Sequence, residues 1–304
     1  MLKIGLIGSK YLIDKHAELI KGCDDFQLVG TIDSHLLSQT TALEKSLYEL
    51  EELLEQTHLV YLFGLPEEWR MHLIAKVIKS SNHVLIDKSN ITNTAEAKQL
   101  LELSEEAGVI SQVCNLLTHS PLFIAAHSHI TCPTWIESVT NINYKNKSAH
   151  LLEDFLYDEL SMVVHTVNAN LRKVNTSVVD VFNATPEIVH LLLEFDNGCN
   201  ASITVNSVAD DDKKVISFYS NNKTISIDFL ENTVKVLHGK AKEVQEEFIL
   251  PDVGSQAEVE LRSLAQSVLA QKSTPTDFHT MSKIHDKLQK VTEKLKINFS
   301  LMQE

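Results

Sequence analysis

Short apolar runs alternate with longer amphipathic stretches through residues 2–113. Residues 2–7 (LKIGLI), 26–32 (FQLVGTI), 59–63 (LVYLF), 83–86 (HVLI) and 109–113 (VISQV) have the length and the branched side chains of strands. Between them, Leu12, His16, Leu19 and Ile20 recur at helical spacing, as do the leucines of 46–54. Residues 67–79 and 92–108 also read as helices, the second capped by Thr92 or Thr94 and stopped at Gly108. Strands separated by helices of this length predict a parallel sheet covered on both faces. Ligands of such sheets bind beyond the carboxyl ends of the strands. That edge gathers residues 8–11, Asp33, 64–66 and 87–89 from distant parts of the chain.

Beyond residue 118 the pattern changes. Residues 156–171 form an apolar helix candidate, followed by strand-like runs at 178–182, 188–195, 201–205, 215–219, 224–228 and 234–237. Asp196-Asn197-Gly198 and Ser220-Asn221-Asn222 are turn signals between them, and 258–270 and 281–295 are amphipathic helices. The expected architecture is an α/β domain with a parallel sheet over 1–118 and an α+β domain with a mostly antiparallel sheet over 119–304.

The 304 residues carry 27 Lys and Arg against 41 Asp and Glu, a net charge of −14. An acidic chain without a basic run lacks the clustered cations that nucleic acids and anionic membranes attract, so neither is an expected partner. No apolar stretch has the length of a membrane span, and the amino terminus lacks the pattern of a signal peptide. Cys23, Cys114, Cys132 and Cys199 are scattered, as expected for free thiols in a cytoplasmic protein. His127, His129 and Cys132 are close in sequence but offer no fourth ligand, and no metal is expected.

A dinucleotide loop uses three glycines: for the turn, for the approach of the pyrophosphate and for close helix packing. Here Gly8-Ser9-Lys10-Tyr11-Leu12-Ile13 keeps the first, with Lys10 and Ile13 in the other two places. Lys10 can meet a phosphate through its ammonium, while its Cβ crowds the backbone approach. The window reads equally as a turn glycine followed by a solvated lysine. Asp33 ends the second strand, where an acid accepts bonds from ribose hydroxyls and repels a 2′-phosphate, favouring NAD over NADP. It also reads as an ordinary strand-end turn residue.

Three windows, KIGLIGSKYLIDKH, LVYLFGLPEEWRMHLIAKVIKSSNHVLIDKS and LEFDNGCNASITV, resemble in order and spacing the glucose-fructose oxidoreductase / inositol dehydrogenase / MocA family. The resemblance implies a Rossmann domain and a C-terminal domain with a large open sheet, often used to form homodimers or homotetramers. It implies hydride transfer between a nicotinamide and a secondary alcohol or carbonyl of a small sugar- or polyol-like substrate. Cofactor contacts would come from Gly8, Ser9, Lys10, Tyr11, Asp33, Leu65, Pro66 and Lys88.

Asp87-Lys88-Ser89 stands where the family has Glu-Lys-Pro, which makes Lys88 the group that polarises the reacting oxygen. Serine in place of proline frees the backbone there. The family's helix Asp-x-Gly-x-His-x-x-Asp corresponds to 158–165, with Asp158 retained, Leu160 for Gly, Met162 for the acid/base His, and His165 for the last Asp. A thioether shuttles no proton, so the role falls to His165, three positions on, or is lost. Asp158, Met162 and His165 share a helical face. Arg70 replaces a family His after Pro66 and reads as an anion ligand or a helix-surface residue, and His119 reads as facing the cleft. The expected function is an NAD(P)-dependent oxidoreductase using Lys88, His165 and Asp158. The alternative is an inactive relative serving as ligand sensor or partner subunit.

Overall fold

The structure is a computed structural model that describes residues 1–38, 43–114, 116–146, 151–183, 185–240, 243–251 and 254–302. Its contacts separate two compact units, Met1–His119 with Gly254–His285, and Ser120–Val253 with Asp286–Glu304.

In the first unit, strands and helices alternate as the sequence predicts. They are β1 (Leu2–Gly8), α1 (Lys10–Lys21), β2 (Phe26–Asp33), α2 (Leu43–Gln56), β3 (Leu59–Phe63), α3 (Glu67–Lys79), β4 (His83–Asp87), α4 (Thr94–Ala107) and β5 (Ser111–Cys114). The five strands form a parallel sheet in the order β2-β1-β3-β4-β5. β3 is buried at every position because it is covered on both faces, hence its unbroken apolar run. The chain leaves β1 toward β2 and then resumes on the other side at β3, so the topological switch point lies between β1 and β3.

Two local expectations change. The cap of α4 is Asn93, whose side chain accepts the Glu96 N–H at 2.9 Å, rather than Thr92 or Thr94. Gly108 ends the helix at φ 64°, a left-handed turn that favours glycine.

The second unit continues with α5 (Pro121–His127), β6 (Trp135–Asn143), α6 (Leu151–Val167), β7 (Leu171–Val179), β8 (Ile188–Phe195), β9 (Asn200–Ala209), β10 (Lys213–Ser220), β11 (Lys223–Asp228), β12 (Thr233–Lys240) and β13 (Glu243–Ile249). These strands form one eight-stranded sheet in the order β13-β12-β11-β10-β6-β9-β8-β7. Neighbours run antiparallel except β6 and β9, which are parallel. Alternate burial along β8 marks a sheet with one covered face. The helix expected over 156–171 stops at Val167, and Leu171 already opens β7. β13 was not expected, because EVQEEFI is a largely exposed edge strand without an apolar stripe.

The last elements are α7 (Gln256–Ala270) and α8 (Phe278–Met302). A single cut at 118/119 assigns both to the second unit, whereas contacts group Gly254–His285 with the first. The physical reason is the apolar face of α7. Leu261, Leu264, Ala265 and Val268 share one core cluster with Leu2, Ile4 and Leu6 of β1 and with Ile13, Ala17 and Ile20 of α1. Gln112 and Thr274 add buried hydrogen bonds, to the Glu260 and Ser111 carbonyls at 2.7 Å each.

Candidate active site

The carboxyl edge of the parallel sheet is built first by a glycine. Gly8 ends β1 directly opposite Phe63 of β3. A Cβ on Gly8 would lie 2.2 Å from the Phe63 ring and 2.6 Å from its carbonyl oxygen, so only glycine lets the two strands close here. Gly64 follows at φ 53°, and a Cβ there would lie 3.2 Å from the Ser9 hydroxyl oxygen. Ser34 donates its hydroxyl to the Gly64 carbonyl at 3.4 Å. Leu65 and Pro66 continue this loop, and Pro66 is the N-cap residue of α3, with φ −59°.

Ser9 is the N-cap of α1, and its side chain makes no capping bond. The Ser9 carbonyl takes the amides of Leu12 and Ile13 at 2.9 and 3.2 Å. The first turn contains no acidic residue to neutralise the positive end of the helix dipole. Lys10 and Tyr11 are exposed, Tyr11 to 90%, whereas Ile13 belongs to the core cluster. The side chains at the second and third glycine positions therefore diverge, one to solvent and one into the core. The donor set fits an anionic pyrophosphate: first-turn amides and an ammonium, without a competing carboxylate. Asp33 sits half-buried at the end of β2, and one of its oxygens accepts the His35 N–H at 3.0 Å.

Lys88 opens a short 3-10 turn, Lys88–Asn90, at the end of β4. Asp87 caps that turn, accepting the Ser89 N–H at 2.9 Å and the Ser89 hydroxyl at 2.6 Å. The Asn90 amide reaches back to the Leu62 carbonyl at 3.2 Å. The freedom expected from serine in place of proline is thus removed by hydrogen bonds, and Lys88 rests on a fixed backbone.

Two residues left open by the sequence are now placed. Arg70 is 8% exposed on α3 and pairs with Glu96 at 2.6 Å, with a second bond to the Thr92 hydroxyl at 3.3 Å. Burial alone would raise the Glu96 carboxyl. The Thr92 amide and hydroxyl and the Arg70 guanidinium outweigh burial and hold it below the ordinary value. Arg70 therefore joins α3 to α4. His119 is 4% exposed, with Nδ1 3.5 Å from a Glu260 carboxylate oxygen, so it is a buried residue of the first unit.

In the second unit, α6 carries Asp158, Met162 and His165. Met162 is fully buried, while Asp158 and His165 keep partial exposure. Asp158 lies 3.9 Å from the Lys214 ammonium, with both side chains 14% exposed. His165 packs its ring against Phe123 and His127 of α5, at centroid distances of 6.1 and 6.2 Å. Sequence reasoning missed Lys214, since a lone lysine in a strand carries no signal until strand pairing sets its neighbours. Among the described residues, no group of three or more His, Cys, Asp or Glu side chains could hold a metal ion. No helix among them is long and apolar enough to cross a membrane. The four cysteines are free.

Residues 2–114 match the model of an oxidoreductase family with an NAD-binding Rossmann fold. Among solved structures, the chain is similar to UDP-N-acetylglucosamine 3-dehydrogenase from Acidithiobacillus ferrooxidans, at 16% identity and a TM-score of 0.83, covering 98% of this chain and 99% of that one. It is similar to a dehydrogenase from Clostridium difficile at 14% identity and a TM-score of 0.76, covering 96% and 99%. A levoglucosan dehydrogenase in complex with NADH and levoglucosan shares 12% identity at a TM-score of 0.77, covering 98% and 97%. No curated protein matches the chain. Residues 2–114 thus carry the NAD-binding Rossmann fold of the glucose-fructose oxidoreductase / inositol dehydrogenase / MocA family model, and the chain as a whole shares its fold with these solved structures.

Proposed function

We propose that this chain is an NAD(P)-dependent oxidoreductase, preferring NAD, that acts on a secondary alcohol or carbonyl of a sugar- or polyol-like small molecule. One observation carries the reading. The amino terminus of α1 is uncapped by any side chain and free of acids, and it follows the switch-point strand inside the segment that matches an NAD-binding family. The Lys10 and Tyr11 amides and the Lys10 ammonium would hold the pyrophosphate. Gly8 and Ser9 shape the turn, Leu65 and Pro66 line the neighbouring loop, and Asp33 takes the ribose hydroxyls.

The nicotinamide supplies a hydride acceptor or donor at its C4 carbon. Lys88 polarises the reacting oxygen from a backbone turn locked by Asp87 and Ser89. His165 takes up or returns the hydroxyl proton, since Met162 has no titratable group. Asp158 assists on the same helical face. The sugar class is supported by the similar solved structures, which include a UDP-N-acetylglucosamine 3-dehydrogenase and a levoglucosan dehydrogenase. Assembly as a homodimer or homotetramer belongs to the same reading.

Calorimetric titration of the cofactor-free protein with NADH and NADPH tests it first. Micromolar NADH binding that weakens in Lys10→Glu is expected. Turnover of a sugar and polyol panel, followed by NADH absorbance, should then vanish in Lys88→Ala. No binding of either cofactor at about millimolar concentration would remove the reading.

A further inference from the structure

Strand β6 buries Ser138 and Thr140 in the stripe that also contains Ile136 and Ile142. Hydroxyls at such positions need partners, and a single side chain on α6 supplies both. Glu159, 1% exposed, accepts the Ser138 hydroxyl and, at 2.9 Å, the Thr140 hydroxyl. Burial pushes the Glu159 carboxyl up, and the nearby Lys214 ammonium and the two hydroxyls oppose that push.

Lys214 lies on β10 directly opposite Thr140, so strand pairing puts it on the same sheet face. Its ammonium lies 3.9 Å from Asp158 and 5.8 Å from the centroid of the Phe229 ring. Asp158 and Glu159 are successive helical residues whose side chains diverge by about 100°. One reaches down to the sheet hydroxyls, and the other meets the lysine from the side. The same cation therefore serves a carboxylate that anchors the helix and a carboxylate assigned to the chemistry.

We propose that Lys214 is a positioning residue of the dehydrogenase site, seated beside the Glu159 anchor and holding the Asp158 carboxylate in one place. This rests on the oxidoreductase reading, in which Asp158 takes part in proton handling. The arrangement also accounts for a lysine in a half-buried sheet position, where a charge is costly unless it is paired.

The test compares Lys214→Met, Lys214→Arg, Asp158→Asn and the Lys214→Met/Asp158→Asn double variant. Lys214→Gln stands in if the methionine variant does not fold. With a sugar that the wild type oxidises, Lys214→Met is expected to lower kcat about tenfold or more, because misplacing a reacting group is costly. The NADH dissociation constant should stay within about twofold, and arginine should restore most of the rate. Lys214→Met added to Asp158→Asn should cost little more. Unchanged kcat in Lys214→Met, or a full further loss in the double variant, overturns the proposal.

A melting-temperature cycle on the same four proteins needs no substrate. Less-than-additive shifts support the contact, and additive shifts overturn it. A wild type that binds no cofactor defeats the oxidoreductase reading, while the melting cycle still decides whether Lys214 holds Asp158.

Discussion

His285 offers a quantitative test of how tightly the first unit is packed. It lies on α8, 3% exposed, and burial pushes its imidazole down from 6.5 to about 4, with the Glu96 carboxylate opposing in part. Between those values the unfolded chain binds a proton that the folded chain refuses. Stability contributed by neutral His285 is therefore complete above about pH 6.5 and is lost as pH falls toward 4. The full loss is about 3.5 kcal/mol, from about 2.5 decades in proton affinity at roughly 1.4 kcal/mol each. Near pH 4.5 most of it, about 2.5 kcal/mol, is already gone. Trp69 lies in the same unit and Trp135 in the other, so Trp135→Phe leaves fluorescence that reports on the His285 unit. Urea unfolding in that background compares wild type with His285→Gln at about pH 7.5 and about pH 4.5. The wild type should lose about 2–3 kcal/mol relative to the variant between the two conditions. A stability gap that stays constant within about 0.5 kcal/mol would refute the reasoning.

Arg70→Gln should lower stability by about 1–3 kcal/mol, because it leaves the Glu96 carboxylate without its cation, and should leave NADH affinity unchanged in calorimetry. Weaker NADH binding would instead make Arg70 an anion ligand. Gly8→Ala should cost about 1–3 kcal/mol by driving a methyl into the Phe63 ring, and Phe63→Leu in the same chain should recover part of that loss in thermal melts. Asp33→Ser should raise NADPH affinity relative to NADH by about tenfold or more, since it removes a negative charge from the ribose edge. An unchanged ratio would place Asp33 outside the cofactor site.

Much of the first unit is legible in the sequence because a parallel sheet buried on both faces demands unbroken apolar strands, and LVYLF and HVLI have no alternative use. The amphipathic helices between them carry their own punctuation, although α4 is capped by Asn93 rather than by a neighbouring threonine. The family resemblance rests largely on the same windows. β13 is invisible because an exposed edge strand needs no apolar pattern. The placement of α7 is equally hidden, since an apolar helix face states only that it must be covered. Which sheet covers it depends on a chain return more than a hundred residues later.

The candidate site divides in the same way. Gly8 and Asp33 could be named from their positions at strand ends, because turn chemistry and strand polarity are local properties, whereas Lys88 and Asp158 were named from the family resemblance. That Gly8 must be glycine for the Phe63 ring, that Ser89 ties the Lys88 turn to Asp87, that Arg70 belongs to Glu96, and that Lys214 meets Asp158 near a buried Glu159 depend on strand register and helix packing. Those contacts join residues about two to about fifty-six positions apart, through distances of a few ångströms that a linear pattern does not encode. Sequence alone determined most of the elements, the parallel sheet and the resemblance to a family. The tertiary structure decided which polar groups meet, because a buried charge or hydroxyl is defined by its partner rather than by its neighbours in the chain.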